Sequence, residues 1–382
     1  MISVNVDYLG NINYFEYILT GFYQLKKERF LSFHYVPAKY NVSLRKAAQC
    51  TNIPIFKNRG ERLSLPGNLC LLTIQKDNAK IKIALDCMDT PWEFYDDYLE
   101  QVDLYYKFQC PVNLEDGYFE LNQQNKYPFS EKVMNNLHKI SPLCLPRPLS
   151  RTMNFKKNLE ILEEYKTRRL QAQVRNVDLL VYLGNAGDSA VYKEIDHPHR
   201  KRLECMVRLQ ELRDKKGKKY HIVFNKPSPK NSIASYTNKW DEYYEKLEPY
   251  KETISDKMYR GWCFTSKATL NIAGLRGSVP FRYFDAFLSN MLIITDHPMV
   301  KWYISFAESE QIIDIGKMGY EILTEKDFCN RISTIEYLTD SIDQRYKSCI
   351  FDFYDNYLTP RVLANKILND IENIVLQNNR AN

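Results

Sequence analysis

Between residues 273 and 297 the chain reads "AGLRGSVPFRYFDAFLSNMLIITDH". Two glycines, Gly274 and Gly277, suit a turn, Arg276 and Arg282 carry guanidinium forks that match phosphate geometry, and Ser278 stands at or near a helix N-cap. Pro280 fits a first helical turn, where its missing N–H is not needed. A helix starting there leaves backbone N–H groups free to favour a phosphate, and Asp285, one turn in, could accept hydrogen bonds from a ribose diol. The plainer alternative is a turn shaped by the glycines, with Arg282 paired to Asp285. A single Gly-containing loop does not choose between the two.

Phe284, Phe287, Leu288 and Met291 recur at helical spacing, so that face packs on a sheet. Arg276, Gly277, Ser278, Arg282 and Asp285 are left to meet a ligand. Other candidates sit where strand patterns end or begin: Gly184 and Asn185 after "VDLLVYL", Lys226 after "KYHIVFN", and Ser266 and Lys267 before "ATLNIAG". All are expected beside one crevice, and the lysines read equally as surface charge. Three carboxylates are candidate general bases: Asp86 and Asp89, closing "KIKIALDCMD", and Asp7, at the end of the first strand. Asp89 reads equally as a helix cap ahead of Pro91. "DHPHRKR", residues 196–202, has two histidines but no third metal ligand at suitable spacing, so a solvated helix start is expected there, with phosphate contact the lesser option.

The elements that must hold these residues alternate strand and helix. Strand patterns at 1–6, "FLSFHYVP", "NLCLLTIQ", "KIKIALDCMD" and "VDLYYKFQ" interleave with "YFEYILTGFYQL" and a Pro91-initiated helix "PWEFYDDYLEQ"; the polar residues 76–80 suggest a hairpin. Pro142, Pro146 and Pro148 make "KISPLCLPRPLSR" an extended connector. The alternation then repeats, from "VDLLVYLGNAGD" through the Gly-terminated helix "HRKRLECMVRLQELRDKKG" to "MLIIT". "WDEYYEKLEPYKETISDKMYRGW" and the tail beyond "DFCNRISTIEYLTD" read as helical. This predicts two α/β lobes of similar design plus C-terminal helices.

At 382 residues the chain lies near the length at which one core divides into two. Its 44% hydrophobic and 26% charged content predicts a globular protein. A net charge of +6, from 53 basic and 47 acidic residues, permits an anionic ligand, and "DKKGKKYH" comes with no stacking motif, so no nucleic-acid partner is expected. Nine scattered cysteines without CxxC predict reduced, mostly buried thiols and no zinc site. With no leader pattern and no membrane-spanning run, a cytoplasmic protein is expected, with peripheral membrane contact left open.

"TLNIAGLRGSVPFRYFDAFLSNMLIITD", together with "DNYLTPRVLANKIL", resembles the donor-binding lobe of GT-B glycosyltransferases, especially exostosin-like and related bacterial polysaccharide enzymes. "KIKIALDCMDTPWEF" and "VDLYYKF" are similar to the acceptor lobe of that family, and "SPLCLPRPL" stands where its linker would be. The resemblance implies an α/β chain of two Rossmann-like lobes facing a cleft: an acceptor lobe at 1–150, a linker helix at 151–175, a nucleotide-sugar lobe at 176–345 and C-terminal helices at 346–382. It implies transfer from a nucleotide-sugar to a hydroxyl of a glycan or glycolipid acceptor, in surface polysaccharide or glycan synthesis. No cofactor or metal is expected if Arg276, Arg282, a lysine and helix N-terminal amides offset the departing charge. The sequence departs from the family at Asp285, where glutamate is usual, and at Asn290, Met291 and Leu292, where a glycine turn is usual. "EDG" at 115–117 and "HP" at 297–298 resemble short motifs of bacterial sialyltransferases that use CMP-sugars; the expected site does not rest on them. The other reading is a non-catalytic carbohydrate- or nucleotide-binding protein on the same fold, since a fold does not establish an activity.

Overall fold

A computed structural model of the chain describes residues 2–35, 67–171, 174–183, 197–224, 241–248, 254–273 and 276–381. Strand β1 (Ile2–Leu9) leads into helix α1 (Ile12–Lys27), and β2 (Leu31–His34) returns parallel to β1. Asn11 caps α1 by accepting a hydrogen bond from the Asn13 N–H. Strands β3 (Leu69–Lys76) and β4 (Ala79–Asp86) form the expected hairpin through Asp77 and Asn78, with Asp77 at φ 54°. Tight two-residue hairpins require that left-handed backbone.

The hairpin overturns one expectation. A two-residue turn joins only antiparallel strands, so β3 runs antiparallel to β4, and it also pairs antiparallel with β1. With β5 (Leu104–Lys107) and β9 (Ile140–Pro142) the first sheet has the order β2-β1-β3-β4-β5-β9 and is mixed, not the parallel sheet of a Rossmann-like lobe. The helix expected from Pro91 begins only at α2 (Asp96–Gln101), because Trp92, Phe94 and Tyr95 turn aside to pack on the core around Tyr105 and Phe119. Between β5 and β9 lie β6 (Cys110–Pro111), the hairpin of β7 (Tyr118–Asn122) and β8 (Asn125–Pro128), and the short helix α3 (Glu131–Asn135).

The proline-containing connector carries β9, is irregular from Leu143 on, buries Leu143, Leu145 and Leu149, and enters α4 (Phe155–Gln171). The second sheet follows, with β10 (Val177–Val181), α5 (Pro198–Lys216), β11 (Tyr220–Ile222), α6 (Asp241–Lys246), α7 (Asp256–Thr265), β12 (Ser266–Asn271), α8 (Phe281–Leu288) and β13 (Leu292–Thr295). The short strand β14 (Val300–Lys301) precedes β15 (Ile312–Asp314), α9 (Glu325–Asp340), α10 (Ile342–Ser348), a π-helical turn at Tyr354–Leu358 and α11 (Pro360–Ala381). The expected unbroken helical tail is therefore interrupted at residues 349–352.

All five strands of the second sheet are parallel, in the order β11-β10-β12-β13-β15. Chain progression reverses between β10 and β12, and in such sheets the crevice at the carboxyl ends of the strands is where ligands bind. β12 and β13 are buried along their whole length, as strands covered on both faces must be. Phe284, Phe287, Leu288 and Met291 of the expected helical stripe are all buried. They belong to a core that continues through Phe15 and Ile18 of α1 to Leu363 and Ile367 of α11, so the two sheets share apolar packing.

Helix α11 returns to α1. Tyr17 donates to the Leu358 carbonyl at 2.9 Å, and Gly21 lies directly against the carbonyl of Pro360. Any side chain at Gly21 meets backbone there, so Gly21→Val is expected to cost about 1–3 kcal/mol. Denaturant unfolding should show a lowered midpoint; an unchanged midpoint would mean that the helices part freely. Among the described residues no helix is long and apolar enough to cross a membrane.

Candidate functional site

A seam joins the first sheet's loops to the carboxyl ends of the second. The buried Gln109 amide donates to the Val279 carbonyl at 2.8 Å and accepts from the Val279 N–H at 3.0 Å. β14 pairs antiparallel with β6, and the Val112 N–H donates to the Met299 carbonyl at 3.2 Å. Asn122 donates to the Tyr320 carbonyl at 3.1 Å, while the Tyr320 hydroxyl donates to the His297 carbonyl at 2.6 Å. Gly277, at φ 63°, fits into this seam: a Cβ there would stand 3.2 Å from both Leu121 and Met299.

Over the seam lies an open groove of about 410 Å³. One wall comes from the segment after β6 and from β7: Asn113, Asp116, Tyr118 and Glu120. The opposite wall comes from the exit of β13 and the loop after β15: His297, Met299 and Lys317. Asp116 ends a 3₁₀ turn closed by Gly117 at φ 81°, and its exposed carboxylate has no partner among the described residues. His297 is 56% exposed, and its Nδ1 lies 2.6 Å from Asp314. That contact orients the ring and leaves Nε2 as the nitrogen available to a ligand.

Behind His297 a smaller cavity of about 10 Å³, room for a single water, is lined by Asn271, Ser278, Tyr283 and Asp296, and shares His297 and Pro298 with the groove. Asp296 is fully enclosed and accepts from the Ala273 N–H, at 2.9 and 3.1 Å from its two oxygens, and from the Gly319 N–H at 3.0 Å. It ties the exits of β12, β13 and β15 together. Burial pushes the Asp296 carboxyl up to about 6, against the pull of those N–H groups and of Arg202. Arg202, from the first turn of α5, donates to the Ile272 carbonyl at 2.6 Å from one terminal nitrogen and 3.1 Å from Nε. Burial, and then the neighbouring Arg282, push its guanidinium down to about 9, against Asp296 and Asp89, so it stays cationic at neutral pH. Arg282 donates from Nε to the Asn271 side-chain oxygen at 2.9 Å, and the Asn271 Nδ2, buried, has no partner among the described residues. Two arginines and a spare amide donor thus gather at the switch point of the parallel sheet.

The expected site residues divide accordingly. Gly277 and Ser278 line the small cavity, with Arg282 beside it, while Arg276 donates to Thr90 across the seam at 2.7 Å. Ser278 does not cap α8: the N-cap is Pro280. Asp285 is not available to a ribose. It is buried against Arg147 of the connector, because the polar side of this short helix is covered as well as its apolar one. Asp86 is withdrawn as a base, being fully buried between Lys107 Nζ at 2.7 Å and the Tyr105 hydroxyl at 2.8 Å. Asp7, at a bulge in β1, accepts from Thr73 at 2.5 Å and lies outside the groove lining. Asp89 is exposed, caps no helix, and stands close enough to Arg202 for its charge to act there.

Ser266 and Lys267 open β12 and so sit at the amino end of the sheet, opposite the crevice; Lys267 pairs with Asp178 at 2.6 Å and with Asp343. Gly184, Asn185 and Lys226 lie outside the described residues. "DHPHRKR" is not a solvated helix start. His197, His199, Lys201 and Arg202 are buried, and Lys201 donates to the carbonyls of Met318 and Glu321. Asp116 and His297 fall in the short "EDG" and "HP" stretches, far apart along the chain, and only the fold brings both to one groove. Among the described residues no cluster of three or more His, Cys, Asp or Glu could hold a metal ion.

No known family's model matches the chain, and no curated protein matches it. The enclosed Asp296 leads to a pH prediction. Its carboxyl holds a proton more tightly folded than unfolded, so its contribution to stability is full below about 4 and is lost as pH rises through about 6. The change is on the order of 3 kcal/mol. Asp296→Asn should flatten the fall in stability between those values, read by denaturant unfolding at a series of pH; an unchanged slope would show that Asp296 does not titrate there.

Proposed function

We propose that the chain is a glycosyltransferase of GT-B-like arrangement, with an acceptor lobe built on the mixed sheet, a donor lobe built on the parallel sheet, and chemistry in the groove between them. The observation that carries this reading is that Asp116 and His297 line one groove, with His297 at the carboxyl end of β13 in a parallel sheet. Asp116 of "EDG" and both residues of "HP", far apart in sequence, line that same groove, which supports a donor of the CMP-sugar kind. Charge supports the transferase reading too. The donor wall offers the His297 ring and Lys317, which also pairs with Glu321 at 3.3 Å, as partners for the phosphate of a departing nucleotide.

In this reading Asp116 takes the proton of the acceptor hydroxyl. The acceptor oxygen forms its bond to the anomeric carbon as the bond from that carbon to the phosphate oxygen breaks, and the nucleotide leaves with the electron pair. His297, its Nδ1–H held by Asp314, donates from Nε2 to the leaving phosphate when the ring carries both protons. Attack opposite the leaving group inverts the anomeric centre. Arg282, Arg202 and the spare Asn271 donor favour the remainder of an anionic donor at the switch point. The reactants need no redox cofactor.

Asp116→Asn is expected to lower turnover roughly 10³-fold with donor affinity nearly unchanged, and His297→Ala to lower it about a hundredfold. The assay is release of free nucleotide from a panel of CMP-, UDP- and GDP-sugars in the presence of mixed glycan acceptors. A binding protein would release none, and wild-type rates in both variants would remove the assignment.

A further inference from the structure

The two walls of the groove differ in charge and in chemistry. The wall opposite His297 and Lys317 carries Asp116 and Glu120 and no cation among its lining residues, and it includes the Tyr118 ring and the Asn113 amide. Tyr118 is half-buried at the start of β7, and the Lys126 ammonium lies 4.8 Å above its ring while also pairing with Glu120 at 3.0 Å. Lys126 therefore covers one face of the ring and offsets part of the charge of Glu120, while Tyr118 still contributes to the groove lining. An aromatic ring beside carboxylate and amide acceptors suits the C–H face and the hydroxyls of a pyranose, and the net negative charge left by Asp116 and Glu120 against Lys126 repels a sugar that bears its own negative charge.

We propose that Tyr118, Glu120 and Asn113 form a subsite for an uncharged sugar, which stacks on Tyr118 and gives hydrogen bonds from its hydroxyls to Glu120, and that this wall rejects anionic glycans. Calling that sugar the acceptor rests on the transferase reading. The subsite itself does not require a donor to be bound.

The test is saturation-transfer NMR and calorimetry on the full chain without any nucleotide-sugar, using lactose, cellobiose and maltose as neutral probes and lactose oxidised at C6 of its galactose as the anionic one. At least one neutral disaccharide is expected to bind saturably, at least about tenfold more tightly than the uronate. Tyr118→Ala should weaken that neutral binding about tenfold, Tyr118→Phe should retain it, and Glu120→Gln should narrow the gap between the neutral probe and the uronate. Saturable binding by none of the three neutral probes would overturn the proposal. So would equal affinity for the uronate, or a Tyr118→Ala protein that binds as the wild type does. Disaccharide binding without nucleotide release would keep the subsite and remove the transferase reading; nucleotide release without disaccharide binding would do the reverse.

Discussion

The double hydrogen bond between the Gln109 amide and the backbone of Val279 fixes how the chain's two sheets meet. It is fully buried, and an amide paired on both its donor and its acceptor tolerates little displacement. Around it lie the β6–β14 pairing, the Arg276–Thr90 contact and the Asn122–Tyr320 contact. Each links the segment near the first sheet to the exits of the second. The groove exists because this seam forms its floor while leaving Asp116 and His297 exposed above it.

Behind the groove, burial and charge act together. Asp296 holds the exits of three strands through backbone N–H groups, and its neighbours Arg202 and Arg282 are two cations brought close together within the fold. Such a pair is unfavourable alone. Asp296 and Asp89 oppose the repulsion. Lys107 and Asp86 are the contrasting case: their pair is closed, with Tyr105 and the Glu93 carbonyl meeting the remaining hydrogen-bonding capacity. A closed pair supports the fold, whereas a cluster with a spare donor beside a cavity is where a ligand has something to gain.

Much of the layout was legible in the sequence, because periodicity and turn chemistry are local. The hairpin at Asp77, the glycine end of α5 at Gly217, the apolar stripe of α8 and the strands of the parallel sheet all follow from spacing that each segment carries. Spacing of one helix does not reveal what covers its other face, which is why Asp285 reads as free until Arg147 is found against it. The end of a strand on which a residue falls also has a meaning that depends on the direction of its neighbours. Ser266 and Lys267 precede β12 and so mark the far edge of the sheet, while Asn271, at the other end of the same strand, reaches the crevice.

From its residues alone the chain determined an α/β architecture, a parallel second sheet and a glycine-arginine loop at the end of one of its strands, since these depend on interactions between near neighbours along the chain. The tertiary structure alone decided which polar groups remain open to a ligand. It enclosed Asp86 and Asp285, brought Arg202 beside Arg282, and brought Asp116 and His297 onto one groove. The physical reason is that a side chain's availability is what remains after every distant segment has taken its hydrogen bonds, and distant pairing leaves no periodic mark on the sequence.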